Sequence, residues 1–183
     1  MDHFENAKLK LKISQFNQMQ MEAFASIPEG NDVKILAKTG SGKTLAFLLP
    51  IMSNILTEHP NPVLIITPTR ELALQITEVA RSLSAGFNIV CCYGGHPIRD
   101  EKKDLAKNPS IVVGTPGRIL DHLKRSTLNA LNIKVLVLDE FDKTLEMGFH
   151  KQMRDIIQFL RNKPQYIHTS ATEIRELPNL LPR

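Results

Sequence analysis

Hydrophobic positions along the chain follow two alternating patterns. Short runs rich in β-branched residues, several of them continuous, recur at Val33–Ala37, Val63–Thr67, Ile89–Cys92, Ile111–Val113 and Val135–Leu138, with a weaker run at Tyr166–Thr169. A strand with one wet face alternates apolar and polar residues, whereas a continuous run is covered on both faces, as in a parallel sheet. Between the runs, apolar positions step at helical spacing. Leu72, Ile76, Val79 and Leu83 form one stripe, with Glu71, Glu78 and Arg81 on other faces; Met153, Ile156, Ile157 and Leu160 form another. An apolar helix, Leu45 to Ile55, follows the first run. Strand–helix alternation over the whole length predicts an α/β domain with a doubly wound, mainly parallel sheet flanked by helices. Residues 1–28 read as a helix packed on the edge of that core, 29–172 as the domain proper, and 173–183 as the start of a linker. Ligands of such sheets bind at the carboxyl ends of the strands, so the chemistry is expected in the loops just beyond them.

Composition narrows the class without changing that picture. At 183 residues, 42% hydrophobic and 23% charged, the chain can bury the core of one domain, which excludes disordered, collagen-like and low-complexity classes. A net charge of +4 permits a polyanionic partner but does not demand one. Cys91 and Cys92 are adjacent, so they form neither a disulfide framework nor a spaced metal motif and read as reduced core thiols. The six histidines show no ligand spacing. No basic-then-apolar leader is visible, and the longest apolar run, Leu45–Leu49, is too short for a membrane span. A cytoplasmic protein without membrane contact is expected.

Two strand ends carry chemistry. Ala37-Lys38-Thr39-Gly40-Ser41-Gly42-Lys43-Thr44 lies between the first strand and an apolar helix, and matches the phosphate-loop pattern except for Ala37 at the opening glycine. Gly40 and Gly42 let backbone N–H groups turn inward onto phosphate oxygens, and the helix start adds its dipole. Lys43 is placed to reach the outer phosphates and the Thr44 hydroxyl to support Mg2+. The loop alone does not separate a kinase, a GTPase and a motor. Further on, Val135–Leu138 runs into Asp139-Glu140-Phe141-Asp142. Asp139 stands where phosphate-loop ATPases hold magnesium, and Glu140 can orient and deprotonate water. The ordinary alternative is an acidic strand-to-helix cap, with Asp142 as the capping residue.

These motifs, with Pro68-Thr69-Arg70-Glu71-Leu72-Ala73, Gly94-Gly95, Thr115-Pro116-Gly117-Arg118, Met147-Gly148-Phe149 and Ser170-Ala171-Thr172, resemble in their order the first RecA-like domain of the DEAD-box RNA helicases, over roughly residues 13 to 172. Phe141 replaces the family's alanine, and Phe16-Asn17-Gln18-Met19-Gln20 lacks the prolines that usually precede the adenine-reading glutamine. The resemblance implies an ATP-dependent RNA helicase using ATP and Mg2+. Thr39, Gly40, Ser41, Gly42, Lys43 and Thr44 would hold the phosphates and Thr44 and Asp139 the metal, with Lys43, Asp139 and Glu140 catalytic. Gln20, at the family spacing before Lys43, would contact adenine, with Gln18 a neighbouring decoy and Phe4 or Phe16 the candidates to stack on the base. Asp142, Ser170 and Thr172 would couple nucleotide state to domain closure, through hydrogen bonds to Asp139 or Asp142.

The resemblance also implies that RNA crosses the loops of Pro68, Thr69, Arg70, Gly94, Gly95, Thr115, Pro116, Gly117 and Arg118. That placement is physically reasonable. Thr115 can cap a helix, Pro116 suits its first position, open N–H groups can bind phosphate, and Gly94-Gly95 permits close backbone approach. With no Trp and few other aromatics, base-stacking platforms are disfavoured, and contacts to the sugar-phosphate backbone are expected. The family's second RecA-like domain, with its transition-state arginines, does not come after Thr172 before the chain stops at Arg183. Weak or undetectable ATPase activity is therefore expected of these residues alone. A nucleotide-dependent RNA-binding scaffold and a small-molecule kinase are the competing readings; intact Lys43 and Glu140 speak against the first, and the absence of an evident substrate lid against the second.

Overall fold

The computed structural model of the protein describes residues 3–54, 63–83 and 86–173. Two helices, α1 (His3–Leu11) and α2 (Gln18–Ser26), precede an alternating series: β1 (Val33–Leu36), α3 (Lys43–Asn54), β2 (Val63–Ile66), α4 (Arg70–Leu83), β3 (Ile89–Cys92), α5 (Ile98–Leu105), β4 (Ile111–Gly114), α6 (Pro116–Lys124), β5 (Val135–Leu138), α7 (Phe141–Glu146), α8 (His150–Phe159) and β6 (Gln165–Ser170). The six strands form one sheet in the order β1-β6-β5-β2-β4-β3, and every pairing is parallel.

The continuous apolar runs have the expected cause. Val63 and Ile65 of β2, with Ile111 and Val113 of β4, face a core shared with α1 to α4. Leu64 and Ile66, with Val112, face a second core closed by α5, α6, α7 and α8. Both faces of β2 and β4 are therefore dry, whereas the edge strand β1 buries Ile35 and exposes Lys34 and Leu36. The amino-terminal segment differs from the single helix expected. Lys12 adopts a left-handed conformation (φ 54°), and α2 restarts at Asn17 with a reciprocal capping box to Gln20. The expected linker lies, apart from Glu173, outside the described residues, as do Ile55 and the side chain of Phe4. No described helix is long and apolar enough to cross a membrane.

The weakest run in the sequence becomes the longest strand, β6, lodged between β1 and β5. It buries His168, whose Nε2 has no hydrogen-bond partner. Burial, aided by the nearby charge of Lys34, pushes this imidazole down to about 4. A histidine depressed in the folded state binds its proton more readily when unfolded, so stability is full above pH 6.5 and falls as pH drops toward 4. Urea unfolding across that window should show the wild type losing about 2–3 kcal/mol more than His168→Asn. Parallel pH profiles for the two proteins would contradict the assignment.

Candidate functional site

The strand order divides the carboxyl-end loops into two groups. The loops after β1, β5 and β6 carry the phosphate loop, Asp139–Asp142 and Ser170–Thr172, and these strands form one half of the sheet. The loops after β2, β4 and β3 carry Pro68–Arg70, Thr115–Arg118 and Gly94-Gly95, and form the other half.

In the phosphate loop, Gly40 and Gly42 take φ values of 81° and 86°, left-handed conformations that aim successive N–H groups to one side. Lys43 is buried and folds back to donate to the carbonyls of Ala37 (2.7 Å) and Lys38 (3.1 Å). The buried Ser41 hydroxyl has no hydrogen-bond partner. A cavity of about 330 Å³ lies between this loop and α4, lined by Thr39, Gly40, Lys43, Thr44, Asp139 and Glu140 among others. On the other side of the loop, Asn17, Gln18, Met19, Ala37 and Ser41 border a second cavity of about 400 Å³.

Gln20 is buried, and both ends of its amide are engaged. Its oxygen accepts from the Asn17 N–H (3.0 Å), and its nitrogen donates to the Gly42 carbonyl (3.2 Å). Asn17 adds a bond from Nδ2 to the Ser41 carbonyl (3.0 Å). The start of α2 is thus latched to the phosphate loop, and a Cβ at Gly42 would lie 2.5 Å from Gln20 Nε2. Gln18 instead pairs with Glu22 on the surface. Phe16 packs edge-on against Phe24 with the Lys8 ammonium over its ring, so it serves the core of the helical segment.

Asp139 is buried at the end of β5. Burial, with the neighbouring Glu140 charge adding to it, pushes its carboxyl up to about 6 despite a hydrogen bond from Thr169 Oγ1 at 2.7 Å. Thr169 also accepts from the Glu140 N–H (3.1 Å), so one hydroxyl fixes both acidic residues. A carboxylate and a hydroxyl are hard oxygen donors, and Asp139 with Thr44 beside a cavity suits a small divalent cation, whose charge would offset the desolvation of Asp139. Glu140 precedes α7 in a left-handed conformation (φ 47°), strain of about 1–3 kcal/mol for a residue with a side chain. Its Oε2 accepts from Lys143 Nζ at 2.8 Å.

Asp142 lies inside the first turn of α7, not at its cap, and reaches across to the end of β6. Its Oδ2 accepts from the N–H groups of Ala171 (3.0 Å) and Thr172 (3.2 Å) and from Thr172 Oγ1 (3.1 Å). Burial opposes its ionisation, but these bonds and the Lys143 N–H hold its carboxyl below the ordinary value. Ser170 Oγ bonds the Thr172 carbonyl. The expected coupling residues are brought together at Asp142, whereas the partner of Asp139 is Thr169.

In the other half of the sheet, Thr69 Oγ1 caps α4 by accepting from Leu72 N–H (3.2 Å). Arg70 is next in the chain, its guanidinium 4.7 Å from the Tyr93 ring centre. Nη1 of Arg70 would lie 3.9 Å from a Cβ at Gly95, so the loops after β2 and β3 meet there. Thr115 sits at the cap position of α6, but its hydroxyl makes no capping bond. With Pro116 lacking an N–H, the first-turn N–H groups of Gly117 and Arg118 have no intrahelical partner. Arg118, one of the residues expected to face RNA, has its side chain turned inward. Its side chain is 11% exposed and bonded to Glu101 (2.9 Å) and the His96 carbonyl (2.8 Å). The groups left open at this turn are the backbone N–H groups of Gly117 and Arg118.

Comparisons with known proteins place the chain in a family. Residues 17–180 match the family described as DEAD/DEAH box helicase. The chain is 41% identical over 156 residues to the DEAD-box ATP-dependent RNA helicase RhpA of Helicobacter pylori, covering 84% of this chain and 32% of that protein. It is 43% identical over 162 residues to the ATP-dependent RNA helicase DeaD of Buchnera aphidicola, covering 86% and 27%. A crystal structure of a DEAD box protein from Methanococcus jannaschii superposes with a TM-score of 0.91 at 38% identity, over 98% of this chain and 50% of that one. The chain thus spans about a third of the curated relatives it matches.

Proposed function

Because the chain belongs to the DEAD/DEAH box helicase family, we propose that it binds Mg-ATP at the β1-β6-β5 end of its sheet and RNA at the β2-β4-β3 end, as the RecA-like first domain of an ATP-dependent RNA helicase. The observation that carries this reading is that division of one sheet into an acidic and phosphate-loop half and a half bearing Arg70 and open helix-start N–H groups.

In this reading residues 29–172 are the ATP-binding domain, 1–28 contribute Gln20, and 173–183 lead toward a second domain. Lys43 exchanges the Ala37 and Lys38 carbonyls for phosphate oxygens, joined by the N–H groups of Thr39 to Thr44. Asp139 and Thr44 are the residues to hold magnesium, which when bound screens the phosphate charge. Glu140, pre-oriented by Lys143, orients and deprotonates the attacking water. Asp142 ties this acidic segment to Ala171 and Thr172, so a shift at the nucleotide is felt at the end of β6. Transition-state arginines are the second domain's contribution and are worth roughly 10³–10⁵ in rate, so these residues alone hydrolyse ATP weakly and unwind no duplex. Free Cys91 and Cys92 suit a reducing, cytoplasmic setting.

RNA binding is tested by fluorescence anisotropy with a labelled single-stranded RNA. Arg70→Ala should weaken binding and lower the slope of log affinity against log salt by about 0.7, because one lost phosphate contact on a single strand releases that much less counterion. An unchanged slope and affinity would remove Arg70 from the RNA surface.

A further inference from the structure

Glu101 belongs to none of the motifs that identify the family, yet its carboxylate joins two of them. It projects from α5, and its side chain is 4% exposed. Oε1 accepts from the Tyr93 N–H (3.0 Å) and lies 2.8 Å from His96 Nε2; these two residues flank Gly94-Gly95. Oε2 accepts from Arg118 Nη1 (2.9 Å), in the Thr115–Arg118 turn, and lies 2.6 Å from Nε2 of the buried His122, one turn further along α6. An ionised carboxylate only accepts, so His122 Nε2 carries a hydrogen toward it, while Nδ1 is engaged by Thr127 Oγ1 (2.7 Å). Burial opposes ionisation of Glu101, but the bonds from His122, Tyr93 and Arg118 outweigh it and hold the carboxyl below its ordinary value. Arg118 Nη2 closes the ring on the His96 carbonyl (2.8 Å).

Cys92 also brings its sulfur near, and the ligating atoms of Cys92, Glu101 and His122 fall within 4.8 Å of one another. The cluster does not call for a metal, because the Arg118 guanidinium already supplies the positive charge at that carboxylate. It therefore works as a mechanical tie. The Gly94-Gly95 loop is intrinsically loose, with Gly95 at φ 97°, and the Thr115–Arg118 turn has no side-chain cap.

We infer that Glu101 is a positioning residue for RNA, clasping the Gly94-Gly95 loop to the Thr115–Arg118 turn so that their backbones form one preformed surface. The inference rests on the RNA reading above. It makes a prediction opposite in sign to simple electrostatics. Removing one negative charge from a chain of net +4, and freeing Arg118, should tighten binding to a polyanion if charge alone mattered. Loss of a preformed surface weakens it instead.

The test compares the wild type with Glu101→Gln, whose amide nitrogen confronts donors where an acceptor stood. In the ligand-free protein, amides of 93–95 and 117–118 should exchange hydrogen about ten-fold faster in the variant, and affinity for single-stranded RNA should fall about ten-fold, with ATP affinity within about two-fold of wild type. Unchanged exchange at those amides, or equal or tighter RNA binding, would overturn the clasp. A wild-type chain that binds no RNA would overturn the RNA reading, while the exchange rates still decide whether Glu101 ties the loops. If Glu101→Gln does not fold, His96→Ala removes one outer strut and should move both readouts in the same direction by less; no movement would equally overturn the clasp.

Discussion

Replacing Lys43 with alanine is expected to weaken Mg-ATP binding roughly 100-fold, about 2.7 kcal/mol, while leaving the chain folded. The expectation comes from where the ammonium sits. It is buried at the mouth of the loop and held by two backbone carbonyls, so it is already desolvated and aimed where phosphate oxygens would arrive. An ammonium in that position makes charge-assisted bonds in a partly water-excluded site, where such bonds are strongest. The two carbonyls belong to the half-buried Ala37 and the exposed Lys38, and can turn to water when the lysine is removed. Isothermal titration calorimetry gives the affinity directly. Ligand-induced thermal stabilisation checks it, because binding to the folded state raises the melting temperature in proportion to RT ln(1 + [L]/Kd). A wild type stabilised by Mg-ATP beside an unresponsive Lys43→Ala is the predicted outcome. Equal stabilisation of both would move the nucleotide elsewhere.

Phe47→Ala carries the largest expected cost to stability, about 3–5 kcal/mol, from lost transfer energy and the cavity left behind. Phe47 is fully buried on the first turns of α3, directly behind the phosphate loop, in the core that also takes Ala7 of α1, Ala23 of α2 and Ile76 of α4. Domains of this kind are stable by about 5–15 kcal/mol, so the variant should unfold at much lower urea while keeping a similar denaturant slope. A loss below about 1 kcal/mol would mean that the core around α3 collapses onto the vacancy. The result bears on function, because α3 presents Lys43 and Thr44 in its first turn.

The features legible in the chain and those that are not separate along a physical line. Continuous β-branched runs announce buried parallel strands because the signal is local, and β2, β4 and β5 are legible that way, while Lys34 interrupts the run of β1 and the polar His168 and Thr169 weaken that of β6. The phosphate loop and Asp139-Glu140 were legible for the same reason, since a glycine-rich turn before a helix and acids at a strand end are contiguous features. Interactions between distant segments left no such trace. Thr169 looks like one more residue of a weak strand, yet it fixes Asp139 and Glu140 across a separation of about thirty residues. Asn17 looks like a neighbour of Gln20, yet it also holds Ser41. Arg118 reads as a cation beside a helix start, and only the fold reveals that Glu101 and the His96 carbonyl take its guanidinium. Gly114 passes as the end of an apolar run, but a Cβ there would stand 2.5 Å from the Cys92 carbonyl, a constraint set by the neighbouring strand. The grouping of the motif-bearing loops into two halves of the sheet was likewise invisible, because strand order is a property of the assembled chain: β1, β6 and β5 are scattered in sequence and adjacent in space.

Crossing two variants with two ligands separates the proposed nucleotide half of the sheet from the proposed RNA half. Mg-ATP affinity and single-stranded RNA affinity would each be measured on the wild type, Lys43→Ala and Arg70→Ala. Lys43→Ala should lose ATP roughly 100-fold with RNA binding in the absence of nucleotide nearly intact, and Arg70→Ala should weaken RNA binding with ATP binding nearly intact. Equal loss of both ligands in either variant, or loss of neither, would contradict two sites on two halves of one sheet.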